Sequence, residues 1–144
     1  MESNKHHGLV KKMYNYVVDE LDIEKSLVET DIFEVIGNVS RMSEGFVPDL
    51  YYKYNNELII GEAKTGQDFE REHSLQQYQS YSNYLNKYSE EGYQCRFIIA
   101  VPWDTSITAS RIIRKMFGYP NNTVEIIVFN EMGVYKKYEK NKVE

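Results

Sequence analysis

Two acidic residues, Asp49 and Glu62, lie in neighbouring β-type runs of the sequence and could together bind a cation. The runs cover residues 47–54 and 57–64, and only the dipeptide Asn55-Asn56 separates them. Asparagine tolerates left-handed backbone angles, so this dipeptide predicts a tight turn between two antiparallel strands. With the turn centred there, Asp49 lies directly opposite Glu62, and their Cβ atoms are roughly 4.5–5.5 Å apart.

Opposed like charges destabilise a sheet, and the neighbours of this pair, such as Leu50 and Ile60, are apolar. The arrangement therefore favours a divalent, oxygen-binding cation such as Mg²⁺ or Mn²⁺ between the carboxylates. Lys64 follows Glu62 by two positions and shares its face of the strand. A metal and a lysine together suit the activation of water and the stabilisation of charge on a phosphate under attack. The alternative is that Asp49, Glu62 and Lys64 simply form a solvated polar face.

The elements that must position these residues follow the order α-β-β-β-α-β-α-β, with a further short edge strand. Hydrophobic periodicity predicts helices over residues 9–21, 70–91 and 106–117. β-Branched and aromatic runs predict strands over residues 31–39, 47–54, 57–64, 95–101, 124–129 and 133–138. We expect a single α/β domain over residues 1–144, with a mixed sheet flanked by helices. Its core spans about 9–129, and residues 139–144 form a polar tail.

Composition limits the class of protein. The 144 residues are 42% hydrophobic and 27% charged, which is typical of a folded domain. The sequence has no apolar run of membrane-spanning length, no secretory pattern at its start and a single cysteine, Cys95, so we expect a cytoplasmic protein. The net charge of −5 counts against nucleic-acid binding by bulk electrostatics. Carboxylates that bind a cation would account for part of that acidity.

The segments VPD at 47–49 and GEAK at 61–64 resemble the motif of the PD-(D/E)XK nuclease superfamily. The resemblance is strongest to the VRR-NUC, RecB-like and Holliday-junction-resolvase-like branches. It implies a restriction-endonuclease-like core of order α-β-β-β-α-β, here with an added helix and C-terminal strands. It also implies that Asp49, Glu62 and the Ala63 carbonyl ligate the metal, while Lys64 assists the attacking water.

Two further residues on the helix at 70–91, Gln77 and Tyr81, fit the Gln-x-x-x-Tyr motif of the RecB-like branch. The resemblance implies that they contact substrate phosphate or support the site. The alternative for Tyr81 is a place in a core-facing stripe with Tyr78 and Leu85, which recur at helical spacing. Trp103 follows Pro102 at the carboxyl end of a predicted strand, where loops often carry function, but we expect a packing role.

The sequence departs from the family at the first helix, where many members carry a glutamate near its start. His7 or Glu20 could take that role, and Glu34 is another possible ligand. The number of metals, one or two, therefore stays open.

The resemblance implies a Mg²⁺-dependent endonuclease that hydrolyses DNA phosphodiester bonds, with Mn²⁺ able to substitute. Because cleavage of both strands needs two active sites, we expect a homodimer. Single-stranded, double-stranded and branched DNA all stay open as substrates. A second possibility is a catalytically weak module of the same fold that binds nucleic acid or a protein partner.

Overall fold

A computed structural model describes residues 4–30 and 46–141 of the chain. The helices are α1 (Asn4–Asp19), α2 (Glu72–Glu90) and α3 (Ser106–Met116). The strands are β1 (Glu29–Thr30), β2 (Leu50–Tyr54), β3 (Glu57–Ala63), β4 (Gln94–Ala100), β5 (Glu125–Asn130) and β6 (Gly133–Tyr138). Short 3₁₀ turns occur at Lys25–Leu27 and Trp103–Thr105. The strand predicted over 31–39, and with it Glu34, lies outside the described residues.

The six strands form one mixed sheet in the order β1-β2-β3-β4-β5-β6. The β3–β4 and β4–β5 pairs are parallel, and the other three pairs are antiparallel. Helix α2 connects β3 to β4 and helix α3 connects β4 to β5, as crossovers between parallel strands require. The protein is therefore an α/β protein with a mixed sheet, as predicted.

The β2–β3 hairpin has the register that the sequence predicts. Asn55 and Asn56 adopt positive φ angles of 54° and 64°, which asparagine accommodates in a two-residue turn. Tyr54 pairs with Glu57, and the ladder continues to Leu50 opposite Gly61. Asp49, the residue before β2, is thereby brought level with Glu62.

The sheet separates two apolar cores. Leu58 and Ile60 of β3 belong to the core beneath α2 and α3. Ile59 and Ala63 belong to the core beneath α1. Glu62 lies on the same face as Leu58 and Ile60 because side chains alternate along a strand, and this places it under α2.

Most predicted boundaries agree with the structure to within two residues, and the positive φ angles of Gly92 (98°) and Gly118 (75°) lie just after α2 and α3. Two starts differ by more: β2 begins at Leu50, three residues after its predicted start at 47, and α1 begins at Asn4, five residues before its predicted start at Leu9. Its first residues are polar and carry no apolar period, so the pattern of hydrophobic residues could not reveal them. None of the helices in the described ranges is long and apolar enough to cross a bilayer.

Gly61 provides a test of how closely α1 packs on the hairpin. A Cβ atom there would lie 2.7 Å from Met13 Sδ and 3.2 Å from Leu50 Cβ. We expect Gly61→Ala to lower the free energy of unfolding by about 1–3 kcal/mol, because the core must shift to admit the methyl group. Chemical denaturation measures the change.

Gly8→Ala is the matched control, since a Cβ at this helical glycine would meet nothing within 4 Å. It should stabilise the fold by up to about 1 kcal/mol through helix propensity. Equal effects of the two substitutions would contradict the close approach of α1 to β3.

Candidate active site

Asp49 and Glu62 are joined by two reciprocal hydrogen bonds. The Asp49 backbone N–H donates to Glu62 Oε1 at 3.2 Å, and the Ala63 backbone N–H donates to Asp49 Oδ2 at 2.9 Å. Each carboxylate is therefore held by the backbone of the other strand. The two acidic groups lie together on the α2 face of the sheet, as the hairpin register predicts.

Both acidic residues are withdrawn from water, with 9% of Asp49 and 3% of Glu62 exposed. Burial raises the pKa of Glu62 well above its ordinary value, and the nearby charge of Asp49 raises it further. The charge of Lys64 acts in the opposite direction. In the chain alone, burial and the charge of Asp49 thus favour the neutral form of Glu62.

Lys64 reaches the carboxylates along the same face. Its Nζ lies 3.4 Å from Glu62 Oε2 and donates a hydrogen bond to Gln77 Oε1 at 2.5 Å. Gln77, on α2, therefore fixes the ammonium group beside Glu62. Lys64 and Gln77, which belong to two separate sequence motifs, are thus in direct contact.

Tyr81, one turn after Gln77, donates its hydroxyl to Glu62 Oε1 at 3.3 Å. Burial and the charge of Glu62 raise the pKa of Tyr81, so the phenol stays protonated and remains a donor. Its ring is fully buried and packs against Phe97. The ring of Tyr81 therefore belongs to the core, while its hydroxyl contacts Glu62.

The structure adds a residue that sequence reasoning missed. His6, in the first turn of α1, places Nε2 3.2 Å from Asp49 Oδ2. The candidate named from the sequence was His7, which is exposed. Adjacent residues on a helix point about 100° apart, so only an accurate start for α1 could have distinguished the two.

The other candidates from the sequence do not join this cluster. Glu20 follows the end of α1, and 14 residues separate it from His6, about 21 Å along the helix axis. It is exposed and lines a different cleft, with Tyr16 and Met132. Glu20, one of the possible replacements for the missing glutamate, therefore lies apart from the acidic pair, and Glu34 lies outside the described residues.

Beside the cluster, at the end of β3, lies a cleft of about 940 Å³. His6 and Lys64 line it, together with residues 65–68 and the loop after β4. A substrate bound in the cleft would therefore contact Lys64 and His6, the partners of the two buried carboxylates.

The donor set suits a hard cation that keeps much of its hydration. Among residues 4–30 and 46–141, no three histidine, cysteine or acidic side chains form a group that could hold a metal by themselves. The oxygen donors that the hairpin brings together are the carboxylates of Asp49 and Glu62, next to the Ala63 backbone. Mg²⁺ is usually bound in this way, by one or two carboxylates with water and substrate phosphate completing its shell. The residues present therefore fit Mg²⁺.

Comparisons with known proteins found no match to any family model, curated protein or solved structure. The function of the chain is therefore inferred from the chemistry of this site.

Asp49→Asn tests whether the acidic pair is a cation site. Removing one of two opposed buried charges should raise the melting temperature in EDTA by about 2–4 °C, the equivalent of about 1 kcal/mol. Wild-type protein should gain stability on adding Mg²⁺ or Mn²⁺, and the variant should lose that gain. Differential scanning calorimetry with and without metal measures both effects.

Glu20→Gln is the matched control, because it also removes one carboxylate charge but at an exposed position. Its stabilisation by metal should equal that of the wild type. If Asp49→Asn kept the full metal-dependent gain, the pair would not be the binding site.

Proposed function

We propose that the chain is a Mg²⁺-dependent endonuclease that hydrolyses DNA phosphodiester bonds. The observation that carries the proposal is the pairing of Asp49 with Glu62 on one face of the hairpin, beside a lysine held by Gln77. An ammonium group, two adjacent carboxylates and an open cleft are what hydrolysis at a phosphate requires.

In this proposal, Asp49, Glu62 and the Ala63 carbonyl hold the cation. When bound, Mg²⁺ supplies positive charge to the scissile phosphate and lowers the pKa of an attacking water. Lys64 directs its ammonium donors toward the water or toward the phosphate oxygens, on which negative charge increases during attack. Gln77 keeps that ammonium group in place, and Tyr81 orients the carboxylate of Glu62.

His6 supports the side of the site that faces α1. It contacts Asp49 from the first turn of the helix, the region where the PD-(D/E)XK resemblance expects an acidic residue. We propose that His6 orients Asp49 for metal binding, in the way that outer partners fix a ligating carboxylate.

The described elements support a restriction-endonuclease-like core as part of the proposal. A helix, a short strand, a hairpin, a second helix and a parallel strand follow one another from α1 to β4. The resemblance expects the same order and places the acidic pair on the hairpin. A homodimer, with one site for each DNA strand, completes the proposed enzyme.

The function is tested by incubating the protein with plasmid, linear, single-stranded and branched DNA in Mg²⁺, Mn²⁺ or EDTA. We expect cleavage only with metal, and a loss of rate of about 100-fold or more in Lys64→Ala and Glu62→Gln. Lys87→Ala, which removes a lysine near the end of α2, is the matched control and should retain the wild-type rate.

Cleavage that persists in EDTA would contradict the mechanism. DNA binding by wild-type protein without cleavage of any substrate would instead favour the catalytically weak binding module.

The two neighbouring histidines form a second test. His6→Ala should lower the rate or the affinity for Mg²⁺ about 10- to 100-fold, because Asp49 loses the partner beside it. His7→Ala should leave both quantities near wild type. Equal losses in the two variants, measured as the rate against Mg²⁺ concentration, would remove His6 from the site.

A further inference from the structure

Trp103 is presented to solvent on a loop that the structure holds in place. It lies in the 3₁₀ turn after β4 and is 66% exposed, more than any other aromatic residue in the part of the chain described. Its backbone N–H donates to Glu131 Oε1 at 2.8 Å, and the Thr105 N–H donates to the Pro102 carbonyl at 2.9 Å. The packing role expected from the sequence is therefore wrong. A large ring on an ordered loop has an exposed face available for binding.

The groove beside Trp103 adjoins the candidate active site. It has a volume of about 410 Å³ and runs between the loop and the first half of α1. Lys5, Pro102 and Asp104 line both this groove and the cleft that contains Lys64. A strand bound with one phosphate at the carboxylates could thus extend along α1 to the indole ring.

The charges around the groove decide which kind of contact can hold a ligand there. Lys5 and Lys12 contribute two positive charges, and Asp104 and Glu131 contribute two negative ones. Lys12 Nζ also donates a hydrogen bond to the Glu131 carbonyl, so one of its three N–H donors is already used within the protein. The groove is close to neutral and the chain carries −5 overall, so attraction to phosphates is weak here. Stacking on the ring is the interaction that remains.

A base can stack on Trp103 only if its own face is free. In a duplex both faces of an interior base are already covered by its neighbours, whereas in a single strand they are accessible. A second DNA backbone would also bring further phosphates toward Asp104 and Glu131. Both considerations favour an unpaired strand over a duplex in the groove.

We propose that Trp103 is a stacking platform for an unpaired base of the substrate strand, which gives the enzyme a preference for single-stranded DNA or for single-stranded segments of branched DNA. This inference rests on the proposed function, because it takes the cleft at Lys64 as the place where the strand is cut. It assigns the choice of substrate to a residue outside the acidic cluster.

Trp103 is the only tryptophan of the chain, so its fluorescence reports directly on the platform. The wild-type protein is titrated with a short oligo-dT and with a relaxed, covalently closed circular duplex, in which every base is paired. Ca²⁺ replaces Mg²⁺, since its longer bonds to oxygen polarise a bound water less and slow cleavage. We expect saturable quenching by the single strand and little by the closed duplex. Equal quenching by both, or quenching by neither, would overturn the inference.

Three variants distinguish base stacking on Trp103 from the loss of any exposed aromatic side chain. Trp103→Ala should weaken binding of labelled oligo-dT about tenfold, measured by fluorescence anisotropy, and Trp103→Phe should restore most of the affinity. Tyr54→Ala is the matched control, because Tyr54 is an exposed aromatic residue at the other end of β2. It should bind as the wild type does, and unchanged affinity in Trp103→Ala would overturn the inference.

The same proteins distinguish failure of the inference from failure of the proposed function. If the wild type cleaves DNA with metal but Trp103→Ala binds single strands as tightly as the wild type, the proposed function stands and the stacking inference is wrong. If single strands quench Trp103 and Trp103→Ala loses affinity for them, but no DNA is cleaved in Mg²⁺, the stacking inference stands and the proposed nuclease function is wrong. If sedimentation showed a dimer that only Trp103→Ala dissociates, the ring would belong to a subunit interface, and the inference would be wrong.

Discussion

The rest of the site depends on one constraint, the burial of two carboxylates at adjacent positions on neighbouring strands. Asp49 and Glu62 repel each other, and burial alone already disfavours the charged form of Glu62. The surrounding contacts offset part of this repulsion. Backbone N–H groups bind one oxygen of each acid, Tyr81 donates to Glu62, and Lys64 contributes a positive charge. These contacts hold the pair in place although the charged form of Glu62 is disfavoured, and such local destabilisation is common where a protein binds a cation or a substrate.

The pairing of the strands fixes where the two carboxylates lie. A slip of one residue in the β2–β3 register would turn Glu62 from the α2 face to the α1 face. Glu62 would then be separated from Tyr81 and Gln77, which both lie on α2. The turn at Asn55-Asn56 prevents the slip, because both residues adopt the left-handed conformation it requires. The parallel pairing of β3 with β4 then brings α2 back across the same face. Helix α1 covers the opposite face, and its first turn places His6 beside Asp49.

The acidic net charge is consistent with a nucleic-acid enzyme if attraction is local. In the proposal, a cation offsets the charge of the carboxylates, Lys64 faces the phosphate, and Trp103 contributes stacking that does not depend on charge. Such an enzyme would bind DNA modestly and with strong dependence on the metal. Substrate choice would then come from the loop after β4, while the hydrolytic chemistry would come from the hairpin.

The sequence by itself determined the hairpin, its register and the common face of Asp49, Glu62 and Lys64, because a two-residue turn and strand alternation are local rules. It also predicted the order of the other described elements and most of their boundaries from hydrophobic period. It could not predict the role of His6, because the polar first turn of α1 carries no period, nor exclude Glu20, because that requires the direction of α1 relative to the site. The exposure of Trp103 was likewise decided only by tertiary structure. Whether a ring is buried depends on which elements pack over its loop, and that information is distributed across the whole fold.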